Sequence, residues 1–181
     1  TCETYTLFED IAPGVQYFTN LPQNTGVTSL VIIESATGLE VGDEIGLFDT
    51  SGVINSGNCA NETGEILVAS GVWSGEQLEL VGVGAIDNCS FGGFQLPGYQ
   101  VGNQITYKIW KQSENMVYPA EVEYSSGTGL WGELITAVSS IEPVLSVTQS
   151  IDIQQFMLNI MSFNVEMDNN TVSSLFQDND L

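Results

Sequence analysis

Short runs rich in Val, Ile, Thr, Tyr and Phe recur along this chain, separated by Gly, Asn, Ser, Thr and Asp, and 19 glycines are spread through its 181 residues. Runs so short and so punctuated build strands joined by turns, and the chain reads as all-β. Strands are expected at about 4–9, 27–34, 44–49, 65–72, 77–83, 104–111, 118–124, 134–139, 144–153 and 157–165. Short strands at this spacing predict a two-sheet antiparallel β-sandwich, immunoglobulin-like or jelly-roll-like. Residues 104–111 alternate cleanly, with Ile105, Tyr107 and Ile109 on one face and Thr106, Lys108 and Trp110 on the other. Leu30-Val31-Ile32-Ile33 is apolar at every position, as a central strand covered on both faces would be. One stretch has helical spacing: Asn170 or Thr171 caps a short C-terminal helix carrying Val172, Leu175 and Phe176. Residues 1–143 are expected to form the sandwich. Residues 144–181 form a C-terminal strand arm and the short helix, packed on the same domain or on a neighbouring subunit.

Charge narrows the function more than the fold. Against 23 acidic residues the chain sets two lysines, Lys108 and Lys111, with no arginine and no histidine, for a net charge of −21. Two cations cannot neutralise a phosphate backbone, which argues against nucleic-acid binding. Anionic membrane surfaces are disfavoured for the same reason. The absence of histidine removes Ser-His-Asp and Cys-His catalysis and histidine metal sites, and the absence of arginine removes an arginine clamp for phosphoryl transfer. What remains is a binding module, a structural protein or a carboxylate-only enzyme. A folded chain of this mass exposes on the order of 8,500 Å². Its net charges therefore stand about 20 Å apart, beyond the roughly 8 Å Debye length of physiological salt. Such a surface suits saline or calcium-containing media. No run reaches the roughly eighteen apolar residues of a membrane-spanning helix. No charged segment followed by an apolar one opens the chain, so Thr1 reads as a mature N-terminus.

Of three cysteines, Cys2, Cys59 and Cys89, one pair can bridge and one is left over. Residues 64–72 and 76–84 read as strands joined by a tight Ser74-Gly75 turn. A hairpin centred there brings Cys59 and Cys89 together at its open end. That bridge closes a loop of about thirty residues, worth roughly 3–4 kcal/mol in the chain-entropy account.

Acidic groups on loops are the candidate metal ligands: Asp43, Glu44 and Asp49 with Glu40, Asp87 beside Asn88, and Asp168 and Asp178 near the C-terminus. Calcium takes six to eight oxygens of this kind. The competing reading makes them solvated carboxylates or Asx-turn caps. None fits an EF-hand, because Asp168-Asn169-Asn170 lacks the following glycine and the terminal glutamate. Carboxylate pairs could serve glycoside hydrolysis, but with this many acids a suitable separation arises by chance. Trp73, Trp110 and Trp131, with Tyr99 and Tyr118, are the rings that could stack on a sugar. Most aromatics of a sandwich are core instead. Trp110 is expected to lie under the stem of Lys108.

The order of motifs also carries a resemblance. Gly42-Asp43-Glu44-Ile45-Gly46-Leu47-Phe48-Asp49 is followed by Cys59 and Gly71-Val72-Trp73-Ser74-Gly75. Asp87-Asn88, Phe91-Gly92-Gly93-Phe94 and Gly102-Asn103-Gln104-Ile105-Thr106-Tyr107-Lys108-Ile109-Trp110 come after. Over residues 27–110 this resembles a β-sandwich module of large secreted and cell-surface, adhesin-like proteins of Bacteroidota and related aquatic bacteria. The resemblance implies an extracellular or cell-surface location and a mostly non-catalytic role. Residues 148–176 resemble the start of a second module, which carries Gly-Trp where this chain has Phe156-Met157. In an extended 157–165 arm, Met157, Met161, Phe163 and Val165 share one face and Leu158 and Ile160 the other. A strand apolar on both faces invites pairing with another chain. The expectation is a non-enzymatic structural or adhesion module, homopolymeric through strand exchange into a filament, sheath or matrix. The alternative is a calcium-dependent carbohydrate-binding module with a polysaccharide partner.

Overall fold

The computed structural model describes residues 14–145. The chain divides into two units, Thr1–Leu145 and Ser146–Leu181, and the described residues belong to the first. The strands expected at 4–9 and 157–165, the C-terminal helix, Cys2, Asp168, Asp178 and the apolar arm from Met157 to Val165 lie outside the described residues. Val144 and Leu145 follow the last strand without joining it.

The described chain is β throughout, with one turn of 3-10 helix at Cys89–Phe91. Its strands are β1 (Thr28–Ile33), β2 (Glu44–Val53), β3 (Thr63–Val72), β4 (Leu78–Val83), β5 (Ile86–Asp87), β6 (Gln95–Leu96), β7 (Thr106–Lys111), β8 (Met116–Ser126) and β9 (Ile135–Pro143). Seven pair in the order β3-β2-β7-β8-β9-β1-β4, and β5 with β6 makes a separate hairpin. β8 is the corner. Its Met116–Pro119 half pairs with β7 and its half from Ala120 to Ser126 pairs with β9. The change of partner falls at Pro119, which has no N–H to give a ladder. β1 runs parallel to β9, Leu30 opposite Ile135, so the sheet is mixed and the wholly antiparallel expectation is corrected. Alternation records which face a side chain takes and carries no information on strand direction.

Val31 and Ile33, Ile45 and Leu47, Val68 and Ala69, Leu80, Tyr107 and Ile109, and Val138 and Ile141 form one buried cluster, which Trp73, Tyr99, Ile105 and Trp131 close from the connections. The strands at the two ends of the order, β3 and β4, both feed this cluster. The sheet therefore curls around a single core. The expected hairpin of residues 64–72 with 76–84 does not form: β3 pairs with β2 and β4 pairs with β1. The two strands instead meet through side chains, since a Cβ on Gly71 would fall 2.6 Å from Leu80 Cδ2. Both carry an apolar face, and burying those faces against each other removes more apolar surface than a two-stranded ladder would. On β1, Val31 and Ile33 are buried while Leu30 and Ile32 are half-exposed, so the strand is interior but only one of its faces is fully covered.

A second, smaller cluster lies on the outer face of β2, β3 and β7. Phe48, Leu67 and Trp110 come from the sheet, and Phe18 reaches it from the segment before β1.

Candidate functional site

Of the acids singled out around β2, Glu40 is exposed but the other three are not solvated. Asp43 and Glu44 are each 1% exposed and Asp49 is 0% exposed. Each is met by N–H donors. Asp43 accepts from Glu40 N at 2.9 Å and from Gln112 N at 2.9 Å. Asp49 accepts from Ser51 N and Gln100 N, both at 2.8 Å, and from the Asn103 side-chain amide at 2.9 and 3.0 Å. Glu44 takes the consecutive backbone N–H groups of Gln16, Tyr17 and Phe18, the last at 2.9 Å. A carboxylate is normally expensive to bury, and several N–H donors restore what water would have given. Chemically these groups are anchors. Asp43 ties the connection before β2 to the β7–β8 turn, Asp49 ties β2 to the segment before β7, and Glu44 holds the N-terminal segment. Their oxygens serve three separate places, and among the described residues no three Asp, Glu or Cys side chains converge as metal ligands.

Asp87 has the same kind of task. It accepts from Cys89 N at 2.9 Å and from the Gln95 side chain at 3.1 Å. Gln95, buried on β6, also receives Asn55 Nδ2 at 2.9 Å and Asn61 N at 3.0 Å, and its own N–H donates to Asn58 O at 2.8 Å. These bonds lay the 55–61 loop along the β5–β6 hairpin and bring Cys59 to Cys89. The two are disulfide-bonded, Cα to Cα 6.0 Å. The pairing inferred from the turn exists, but β6 and its amide network produce it and the supposed hairpin does not.

The tryptophans proposed for sugar stacking are packed inside: Trp73 is 5%, Trp110 7% and Trp131 1% exposed. This corrects that assignment, because a ring needs a free face to stack on a ligand. Trp131 stacks on Tyr99 at 4.6 Å between centroids and donates to Phe48 O. Trp110 is covered by Tyr17, centroids 5.3 Å apart and planes 9° apart, and not by Lys108. The lysine instead sits 4.5 Å over the Phe48 ring and pairs with Glu65 at 2.6 Å. Lys111 pairs with Glu114 at 2.8 Å, and that contact holds the Glu114 carboxyl below the usual range.

Two surface features went unread in the sequence. An open groove of about 680 Å³ runs along the outer face of β2, β3 and β7, with Tyr17, Phe48, Ile54, Leu67 and the Glu65–Lys108 pair in its walls. The second is acidic: Glu121 stands opposite Glu142 in the β8–β9 ladder, with Glu123 two residues along. Alternation alone places Glu121 and Glu123 on one face; Glu142 joins them only through the register of β9. No protein-family model, no curated protein and no solved structure matches this chain.

Proposed function

We propose that this chain is a non-enzymatic structural or adhesion module of the extracellular space or cell surface, a β-sandwich that assembles with copies of itself into a filament, sheath or matrix. The observation that carries the reading is where the polar and aromatic groups are used. Three carboxylates around β2 hold connections against the sheet, and all three tryptophans are covered, Trp73 and Trp131 in the core and Trp110 beneath Tyr17 on the outer face. In such a unit the connections around β2 are tied to the sheet. A disulfide between loops suits an oxidising compartment, and no helix among the described residues is long and apolar enough to cross a membrane. The module resembled in the 27–110 motifs belongs to the same setting. In this reading the arm from Met157 to Val165 inserts into a neighbouring subunit, a head-to-tail contact that grows without closing.

Repulsion between copies carrying −21 each opposes growth, so salt and calcium promote it. Light scattering and electron microscopy of the full chain in high salt with millimolar calcium test this. Extended polymers that are lost when residues 144–181 are deleted support it. A full chain that stays strictly monomeric under those conditions overturns it.

A further inference from the structure

The segment before β1 is held to the body as a ligand is held by a receptor. Three consecutive backbone N–H groups, of Gln16, Tyr17 and Phe18, donate to the one carboxylate of Glu44. Ser70 Oγ donates back to Phe18 O at 2.8 Å. Tyr17 lies flat on Trp110, and Phe18 meets Phe48 edge-on at 5.6 Å. The seat for the Phe18 ring exists because β2 has glycine there: a Cβ on Gly46 would stand 3.1 Å from Phe18 Cγ and Cδ2. Phe18 is 5% exposed in this seat and Glu44 1%.

What joins this strap to β1 is loosely attached. Thr19 and Leu21 donate only to carbonyls of the strap and its own linker. The first hydrogen bond back to the body is Thr25 Oγ1 to Gly84 O. Residues 11–33 contain no charged side chain in a chain with 23 acids, so the strap and its linker bring no charge of their own to a contact with a second copy. A strap from another copy would make the same contacts in the same seat, and the choice between them is set by linker geometry and concentration.

We infer that the Glu44–Gly46–Trp110 seat is an intersubunit docking site whose partner is the Gln16–Phe18 strap of a second copy, so that copies associate by exchanging straps. The proposal rests on the reading of the chain as a self-assembling module for its biological use, and it names a contact distinct from the C-terminal arm.

The test leaves the strap and its seat intact and cuts the linker. In the full chain, deletion of residues 20–24 leaves only Thr19 between Phe18 and Thr25, a link that spans at most about 7 Å between their Cα atoms. Exchange predicts that this variant doubles in mass by light scattering while Trp110 stays shielded from a fluorescence quencher. A monomer with a quenchable Trp110 overturns the proposal. Its independent arm mixes and refolds two full-length variants: Phe18→Ser, with the seat intact, and Gly46→Val, with the strap intact. A one-to-one heterodimer from partners that are monomeric alone supports it, and a mixture that stays monomeric overturns it. If Gly46→Val fails to fold, a peptide of residues 14–20 is titrated against Phe18→Ser. Protection of Trp110 by this peptide, and not by its Phe18→Ala version, is required. Wild-type chains that form no polymer beside a linker-cut dimer would refute the filament reading and leave strap exchange standing.

Discussion

Among the described residues Asp43, Glu44 and Asp49 form no ion pair, and backbone and amide N–H groups meet their carboxylates instead. The chain has little choice: its two lysines pair with Glu65 and Glu114 near the surface. Glu44→Gln keeps the shape but turns one acceptor into a donor that faces N–H groups. It is expected to lower stability by about 3 kcal/mol in urea denaturation, whereas Glu121→Gln, which removes one of two facing carboxylates, is expected to leave it unchanged or raise it. Tyr107 presents the opposite case. It is 3% exposed, its hydroxyl has no hydrogen-bond partner among the described residues, and burial pushes its pKa up. Tyr107→Phe removes a polar atom that gains nothing in the fold, so the melting temperature is expected to hold or rise. The acidity around β2 was legible in the sequence. Its role was not, because Asp and Glu read alike whether they face water or a loop's N–H groups.

Among the elements, the connection between β8 and β9 depends on pH. Glu133 accepts from Thr128 N at 2.9 Å, from Thr128 Oγ1 at 2.8 Å and from Thr136 Oγ1 at 3.1 Å, and the Thr128 backbone bond above all holds its carboxyl below the usual range. The folded value lies below the unfolded one, so the contribution is complete above the ordinary glutamate pKa of about 4.3 and is lost as pH falls through the lower folded value. Carboxyl NMR titration of Glu133, with the Thr128 amide protection factor followed in parallel, is expected to show both changes together, and Glu133→Gln is expected to abolish the pH dependence of that protection factor. The strands themselves were largely readable. Residues 104–111 alternate as expected, with Tyr107 and Ile109 inward. The β3–β4 pairing was misread, because a short turn between two apolar runs fits a hairpin and an arch across the core equally well.

At the scale of the whole molecule, the Cys59–Cys89 bridge ties the β2–β3 loop to the small hairpin, a sequence separation of 30. Replacing both cysteines with serine is expected to lower unfolding free energy by about 3–4 kcal/mol by constraining the unfolded chain less, read as a lower denaturation midpoint with a steeper slope, since the released unfolded chain exposes more surface. The β5–β6 hairpin is expected to survive that change, since Gln95 and Asp87 still hold the loop.

The sequence by itself determined the class of fold and the ranges of the principal strands, because period-two patterning and turn residues are local properties of the chain. It also determined the chemistry ruled out, since a missing histidine or arginine is missing in any conformation. Only the tertiary structure decided which strands pair and in which direction, which acids are buried, and that Trp73 and Trp131 join the core while Trp110 is covered by Tyr17 on the outer face. These depend on partners distant in the chain, as Phe18 on Gly46 and Asp49 on Asn103, and the energy of such contacts exists only once the sheet has closed around its core.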